Sequence, residues 1–164
     1  MKKCVGGPRI RTSLTDLEGA TLQRLAAGGD VVEFGAAYGY STVVIAQVAL
    51  SVISVDPHTA LPGSRDILLR NLWQCGVLHR VTVVDTTSEA FCGRAYVGSA
   101  DLVFIDGNHS TEATIRDLQC ANRLLRGAGH IAIHDYTRLP TVRRAVDEWA
   151  GDGVPVIVDS TAIF

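Results

Sequence analysis

No stretch of about 18 uninterrupted apolar residues, the least that spans a membrane as a helix, occurs in the 164-residue chain. An excess of charge of one sign is missing too: 15 basic and 17 acidic residues leave a net charge of −2. General nucleic-acid binding and polybasic membrane binding need a cationic surface, so neither is expected. Met1-Lys2-Lys3 is basic, but no long apolar segment follows it, and it does not read as a secretory signal. Cys4, Cys75, Cys92 and Cys120 form no CxxC unit. A domain of this size does not need disulfide staples, so reduced thiols and a cytoplasmic location are expected. The fingerprint G-x-G-x-x-G and a clear Tyr-x-x-x-Lys pair are both absent, which counts against an NAD-linked reductase. No repeat, low-complexity tract or long linker divides the chain, so residues 1–164 are expected to form a single domain.

What is present is a globular composition, 47% hydrophobic and 20% charged, and a regular alternation of patterns. Val31-Val32-Glu33-Phe34, Ser51-Val52-Ile53-Ser54-Val55, Arg80-Val81-Thr82-Val83-Val84, Asp101-Leu102-Val103-Phe104-Ile105, His130-Ile131-Ala132-Ile133 and Val154-Pro155-Val156-Ile157-Val158 read as strands. Most are continuously apolar, as strands covered on both faces are. Helical spacing predicts helices over 14–26, 42–49, 66–75, 111–126 and 141–150. Ser110 is placed to cap the fourth of these, and Gly127 and Gly129 to end it. The fold class is therefore α/β, a doubly wound and mainly parallel Rossmann-like sheet with a short C-terminal strand region. Thr161-Ala162-Ile163-Phe164 would finish the sheet or pack on a second copy in a homo-oligomer.

In such a sheet the ligand lies beyond the carboxyl ends of the strands. Glu33-Phe34-Gly35-Ala36-Ala37-Tyr38-Gly39-Tyr40-Ser41 follows the first strand. Gly35 and Gly39 permit a tight turn and close approach of a ligand. Glu33 would repel a pyrophosphate there but suits a ligand bearing an ammonium group. Asp56-Pro57-His58 follows the second strand, with the acid where ribose hydroxyls are bound. Asp85-Thr86-Thr87-Ser88 follows the third and either contacts a purine edge or caps a short helix. Asp106-Gly107-Asn108-His109 and His134-Asp135-Tyr136 follow the fourth and fifth. Two carboxylates and two imidazoles on one rim mark a functional cluster.

Residues 32–41, 101–109, 124–129 and 134–136 together resemble the class I S-adenosylmethionine (SAM)-dependent methyltransferases. The first stretch is similar to the E-x-G-x-x-x-G-Y-S motif of the catechol O-methyltransferase-like branch. The others are similar to the "methyltransferase 24" group, which includes macrolide-sugar and rhamnosyl O-methyltransferases. The resemblance spans about Asp30 to Trp149. It implies SAM as cofactor, with Glu33 and Gly35 near the methionyl amino group and Ser41 and the backbone beside Tyr38 and Gly39 near its carboxylate. Asp56 would take the ribose hydroxyls with Pro57 and His58 beside it, and Thr87 or Ser88 would lie by the adenine. Asp106 and Asp135 match positions that hold a divalent cation, and His109 matches a general base. His134 departs from the macrolide-sugar pattern, and Tyr136 stands where catechol-type members carry Asn. The implied activity is O-methylation of a small hydroxylated acceptor such as a sugar, phenol or natural product. His109 would act with Asp106 in catalysis, and Mg²⁺ or Mn²⁺ would sit on Asp106, Asp135 and His134. The acceptor pocket is expected from residues 57–64 and 136–140 or from a second chain. A SAM-binding protein without catalysis is the competing reading.

Overall fold

The computed structural model describes residues 2–3, 8–95 and 97–164. Lys2–Lys3 (β1) pairs antiparallel with Arg9–Ile10 (β2). The main sheet holds β3 (Asp30–Phe34), β4 (Ser51–Val55), β5 (Val81–Val84), β6 (Ala100–Ile105), β7 (Leu125–Ile133), β8 (Val156–Val158) and β9 (Thr161–Ile163). Their order is β5-β4-β3-β6-β7-β9-β8. The five strands from β5 to β7 run parallel, and β9 is antiparallel to both its neighbours. Helices α1 (Asp16–Ala26), α2 (Tyr40–Ala46), α3 (Ser64–Gln74), α4 (Ser88–Cys92), α5 (Thr111–Leu124) and α6 (Pro140–Ala150) flank it.

Strand periodicity sorts the apolar residues into two cores. Successive side chains of a strand point to opposite faces. Val31, Leu102 and Phe104 therefore join Leu22, Val43 and Leu68 of α1, α2 and α3. Their neighbours Val32, Val103 and Ile105 join Leu118, Ala121 and Val146 of α5 and α6. Burial on both faces explains why Leu102 to Ile105 of β6 read as a continuous apolar run. The strand order reverses between β3 and β6, which opens a crevice at their carboxyl ends.

Several expectations are corrected. α5 stops at Leu124, and Gly127 and Gly129 lie inside β7 rather than ending the helix. A Cβ at Gly129 would come within 2.8 Å of the Asp101 carbonyl oxygen. The pairing of β6 with β7 shifts register between Ala100 and Leu102, so these glycines serve an irregular crossing of two strands. Arg80 belongs to a short 3-10 turn, Leu78–Arg80, ahead of β5. The thiol expectation fails as well. Cys92 of α4 and Cys120 of α5 are disulfide-bonded, with Cα atoms 6.0 Å apart, and Cys75 is also in a disulfide. Packing of α4 on α5 brings together two cysteines 28 residues apart, a proximity invisible to a search for close spacings. Cys4 lies outside the described residues. Among the described residues, no helix is long and apolar enough to cross a membrane. The C-terminal segment completes the sheet: Phe164 exchanges backbone hydrogen bonds with Ile131 and packs edge-on against Trp149.

Candidate functional site

A cavity of about 720 Å³ opens over the carboxyl ends of β4, β3 and β6, within the size range of small-molecule sites. Gly35, Asp56, Pro57, His58, Thr87, Ser88, Asp106, His109 and Asp135 line it. Glu33, Tyr38, Gly39, Ser41 and His134 do not.

The loop after β3 is shaped by close packing. Gly35 has φ +91°, and a Cβ there would lie 2.2 Å from the Asp106 carbonyl oxygen. Gly39 has φ +85°, and its Cβ would meet Leu68 Cδ1 at 2.3 Å. Asp56 Oδ2 accepts the Ala36 and Ala37 backbone N–H groups, both at 2.9 Å, while Oδ1 accepts His58 N–H at 2.7 Å. A carboxylate has about four lone-pair sites, so Asp56 braces the loop and keeps acceptor capacity toward the cavity. His58 adopts φ +54°. Its Nδ1 lies 2.8 Å from Ser64 Oγ, and its buried Nε2 has no hydrogen-bond partner among the described residues.

Glu33 sits behind this wall. It is fully buried and accepts the hydroxyls of Ser41 at 2.5 Å, Thr42 at 2.6 Å and Ser54 at 2.8 Å. Burial outweighs these three bonds and pushes its carboxyl up to about 7. The side chains of Glu33 and Ser41 are thus committed to each other within the core. Thr87 caps α4 by accepting the Ala90 N–H. Ser88 Oγ donates to Asp117 Oδ1 at 2.5 Å. Asp117, which also lines the cavity, is raised to about 6 by burial. Sequence reading misses Asp117, although its place four residues from both Ala113 and Ala121 puts a carboxylate on the buried stripe of α5.

The reactive cluster gathers at the ends of β6 and β7. Asp106 Oδ1 lies 3.1 Å from His134 Nδ1 and 3.3 Å from His109 Nε2. Asp135 Oδ1 lies 3.4 Å from His134 Nδ1, and Oδ2 lies 3.7 Å from His109 Nε2. Strict alternation would send His134 and Asp135 to opposite faces. β7 ends at Ile133, however, and Asp135 takes φ +61°, so both reach Asp106. His109 is raised above its usual value by its contact with Asp106. His134 is fully buried, which alone would lower it, but contacts with Asp106 and Asp135 prevail and push it up to about 10. The contact with His134 lowers Asp135. Tyr136 turns its hydroxyl away, to Asp147 at 2.8 Å.

A family model described as "Methyltransferase domain" matches residues 32–136. No curated relative matches in sequence. Among solved structures the chain is similar to cofactor-bound Rv0187 from MTB, with TM-score 0.77 and 24% identity over 96% of this chain and 82% of that one. It is similar to an O-methyltransferase from Bacillus cereus in complex with SAH, with TM-score 0.67 and 20% identity over 84% and 68%. It is also similar to TomG from Streptomyces achromogenes, an O-methyltransferase involved in tomaymycin synthesis and solved with SAM, with TM-score 0.70 and 16% identity over 84% and 67%.

Two outcomes are expected from this geometry. Gly35→Ala should cost roughly 3 kcal/mol or more in denaturant unfolding, because clash and positive φ combine. Gly63→Ala, with φ +78° but open space around it, should cost only about 1 kcal/mol. Equal losses would refute the packing role of Gly35. For Glu33, the folded state holds a proton up to pH about 7 that the unfolded chain releases near 4.5. Stability from this residue is full below that lower value and falls as pH rises toward 7. The stability of wild type relative to Glu33→Gln should therefore drop across this window by on the order of 3 kcal/mol and level off above it. A difference independent of pH would show that Glu33 is ionised throughout.

Proposed function

Because the chain belongs to the class I SAM-dependent methyltransferase family, we propose that it methylates a hydroxyl of a small acceptor, a sugar, phenol or natural product, in the cavity described. The observation that carries this reading is that Asp56 and Gly35 share one cavity with Asp106, His109 and Asp135. A nucleoside-bearing donor and a proton-handling cluster thus have adjoining places.

The residues fit SAM. Gly35 borders the cavity with its backbone, and Asp56 retains acceptor capacity for ribose hydroxyls. Thr87 and Ser88 border the end where a purine would lie. SAM, when bound, supplies an electrophilic sulfonium methyl. It would pass that methyl to the acceptor oxygen and leave as SAH. The work left to the protein is alignment and removal of the hydroxyl proton. His109 takes that proton; its side chain is 39% exposed at the cavity and Asp106 and Asp135 hold the ring in place. The residues fit a divalent cation as well. Asp106, His134 and Asp135 offer ligand atoms within 4.8 Å of one another, a set of two oxygens and one nitrogen suited to Mg²⁺ or Mn²⁺. Such a cation would lower the pKa of an acceptor hydroxyl.

Calorimetric titration should show SAM and SAH binding and no NADH binding. Asp56→Ala should weaken SAM binding by about 1–3 kcal/mol. Binding of NADH in place of SAM would overturn the reading. His109→Ala should slow methyl transfer by roughly 10²–10⁴-fold while leaving SAM affinity nearly unchanged. An unchanged rate on a true acceptor would make His109 a loop residue only.

A further inference from the structure

Glu18 lies in α1, outside the residues the family model matches, yet it reaches the reactive cluster from behind. Its carboxylate is fully buried. Oε1 accepts three donors: Ser160 N–H at 2.9 Å, Ser160 Oγ at 2.5 Å and Thr161 Oγ1 at 3.2 Å. Oε2 accepts Thr15 N–H at 2.8 Å and faces His134 Nε2 at 3.6 Å. That ring nitrogen is buried and has no hydrogen-bond partner among the described residues, since 3.6 Å is an ion-pair distance rather than a bond. The other ring nitrogen, Nδ1, faces Asp106 and Asp135. The imidazole thus stands between one carboxylate behind it and two in front.

We propose that Glu18 is a positioning residue that turns His134 into the nitrogen ligand of the Asp106–Asp135 cation site. The inference rests on the cation reading above. A carboxylate behind a histidine holds the proton on the rear nitrogen, which leaves the lone pair of the front nitrogen for the metal. Here the rear nitrogen is Nε2 and the front one Nδ1. Among the described residues Nε2 has no hydrogen-bond partner, and the carboxylate that faces it is that of Glu18. Glu18→Gln tests this in a side chain of the same shape, at the loss of one bond: the NH₂ that replaces Oε2 no longer accepts the Thr15 N–H. The three donors on Oε1 keep the amide oxygen in place, so the amide NH₂ points at Nε2 and makes it an acceptor. The ring proton then moves to Nδ1, where it blocks the cation.

Mn²⁺ and Mg²⁺ are titrated by calorimetry into wild type, Glu18→Gln, His134→Ala and the double variant. The Mn²⁺ dissociation constant should rise about 10–100-fold in Glu18→Gln, the usual scale for an outer carboxylate. It should rise comparably in His134→Ala, and no further in the double variant, because Glu18 acts only through His134. Mg²⁺, which favours oxygen ligands, should lose less. Wild-type affinity in Glu18→Gln, or additive losses in the double variant, would overturn the role of Glu18. Absence of any divalent-cation binding to wild type would instead overturn the cation reading itself. Should Glu18→Gln not fold, nitrogen-15 NMR of wild type decides: with Mg²⁺ added, the proton should stay on His134 Nε2 and the Nδ1 signal should shift. A proton found on Nδ1 would contradict the proposal.

Discussion

The close approach of Gly35 to the Asp106 carbonyl is the constraint on which the rest of the site depends. β3 and β6 are the central parallel pair, and their last residues, Phe34 and Ile105, lie side by side in register. Asp106 N–H donates to the Phe34 carbonyl at 2.8 Å, and Gly35 N–H donates to Val55 at 2.9 Å. Three strands are tied together just where their loops diverge. Only a residue without Cβ fits between them. The consequence is functional: the loop braced by Asp56 and the cluster around Asp106 become walls of one cavity. Spreading β3 and β6 apart would separate the two.

Behind both walls, burial carries charge-bearing groups that are individually unfavourable. Glu33 on one side and Glu18 and His134 on the other are fully buried. Buried ionisable groups are expensive unless they are paired or hydrogen-bonded. Glu33 meets this cost with three hydroxyls and a raised pKa. Glu18 meets it with backbone and hydroxyl donors, which overcome burial and bring its carboxyl down to about 2. Apolar replacements would often be no less stable. Their presence beside a ligand cavity is better explained by what they orient: the first turn of α2 through Ser41 and Thr42, and the ring of His134.

Much of this was legible in the sequence where it depended on local pattern. Strand positions followed from apolar runs, and the site followed from the rule that loops at carboxyl strand ends carry function. Asp56, Asp106, His109 and Asp135 could be picked out for that reason. What required the structure was long-range. Thr15-x-x-Glu18 has capping-box spacing, and the box forms, but nothing local links Glu18 to His134. The inward turn of Glu33 depends on hydroxyls from α2 and β4. The Cys92–Cys120 disulfide and the glycines of β7 likewise reflect contacts between elements rather than spacing along the chain. The expected acceptor loops divide: 57–61 and Ser64 border the cavity, whereas 136–140 do not.

The central claim is that donor binding and proton or cation handling occur in a single cavity. A crystal structure with SAH and Mn²⁺, read at the manganese anomalous edge, tests it most directly. The expected result is SAH ribose at Asp56, its sulfur facing His109, and an anomalous peak between Asp106, His134 and Asp135. SAH bound away from Asp56, or a sulfur remote from His109, would contradict the account.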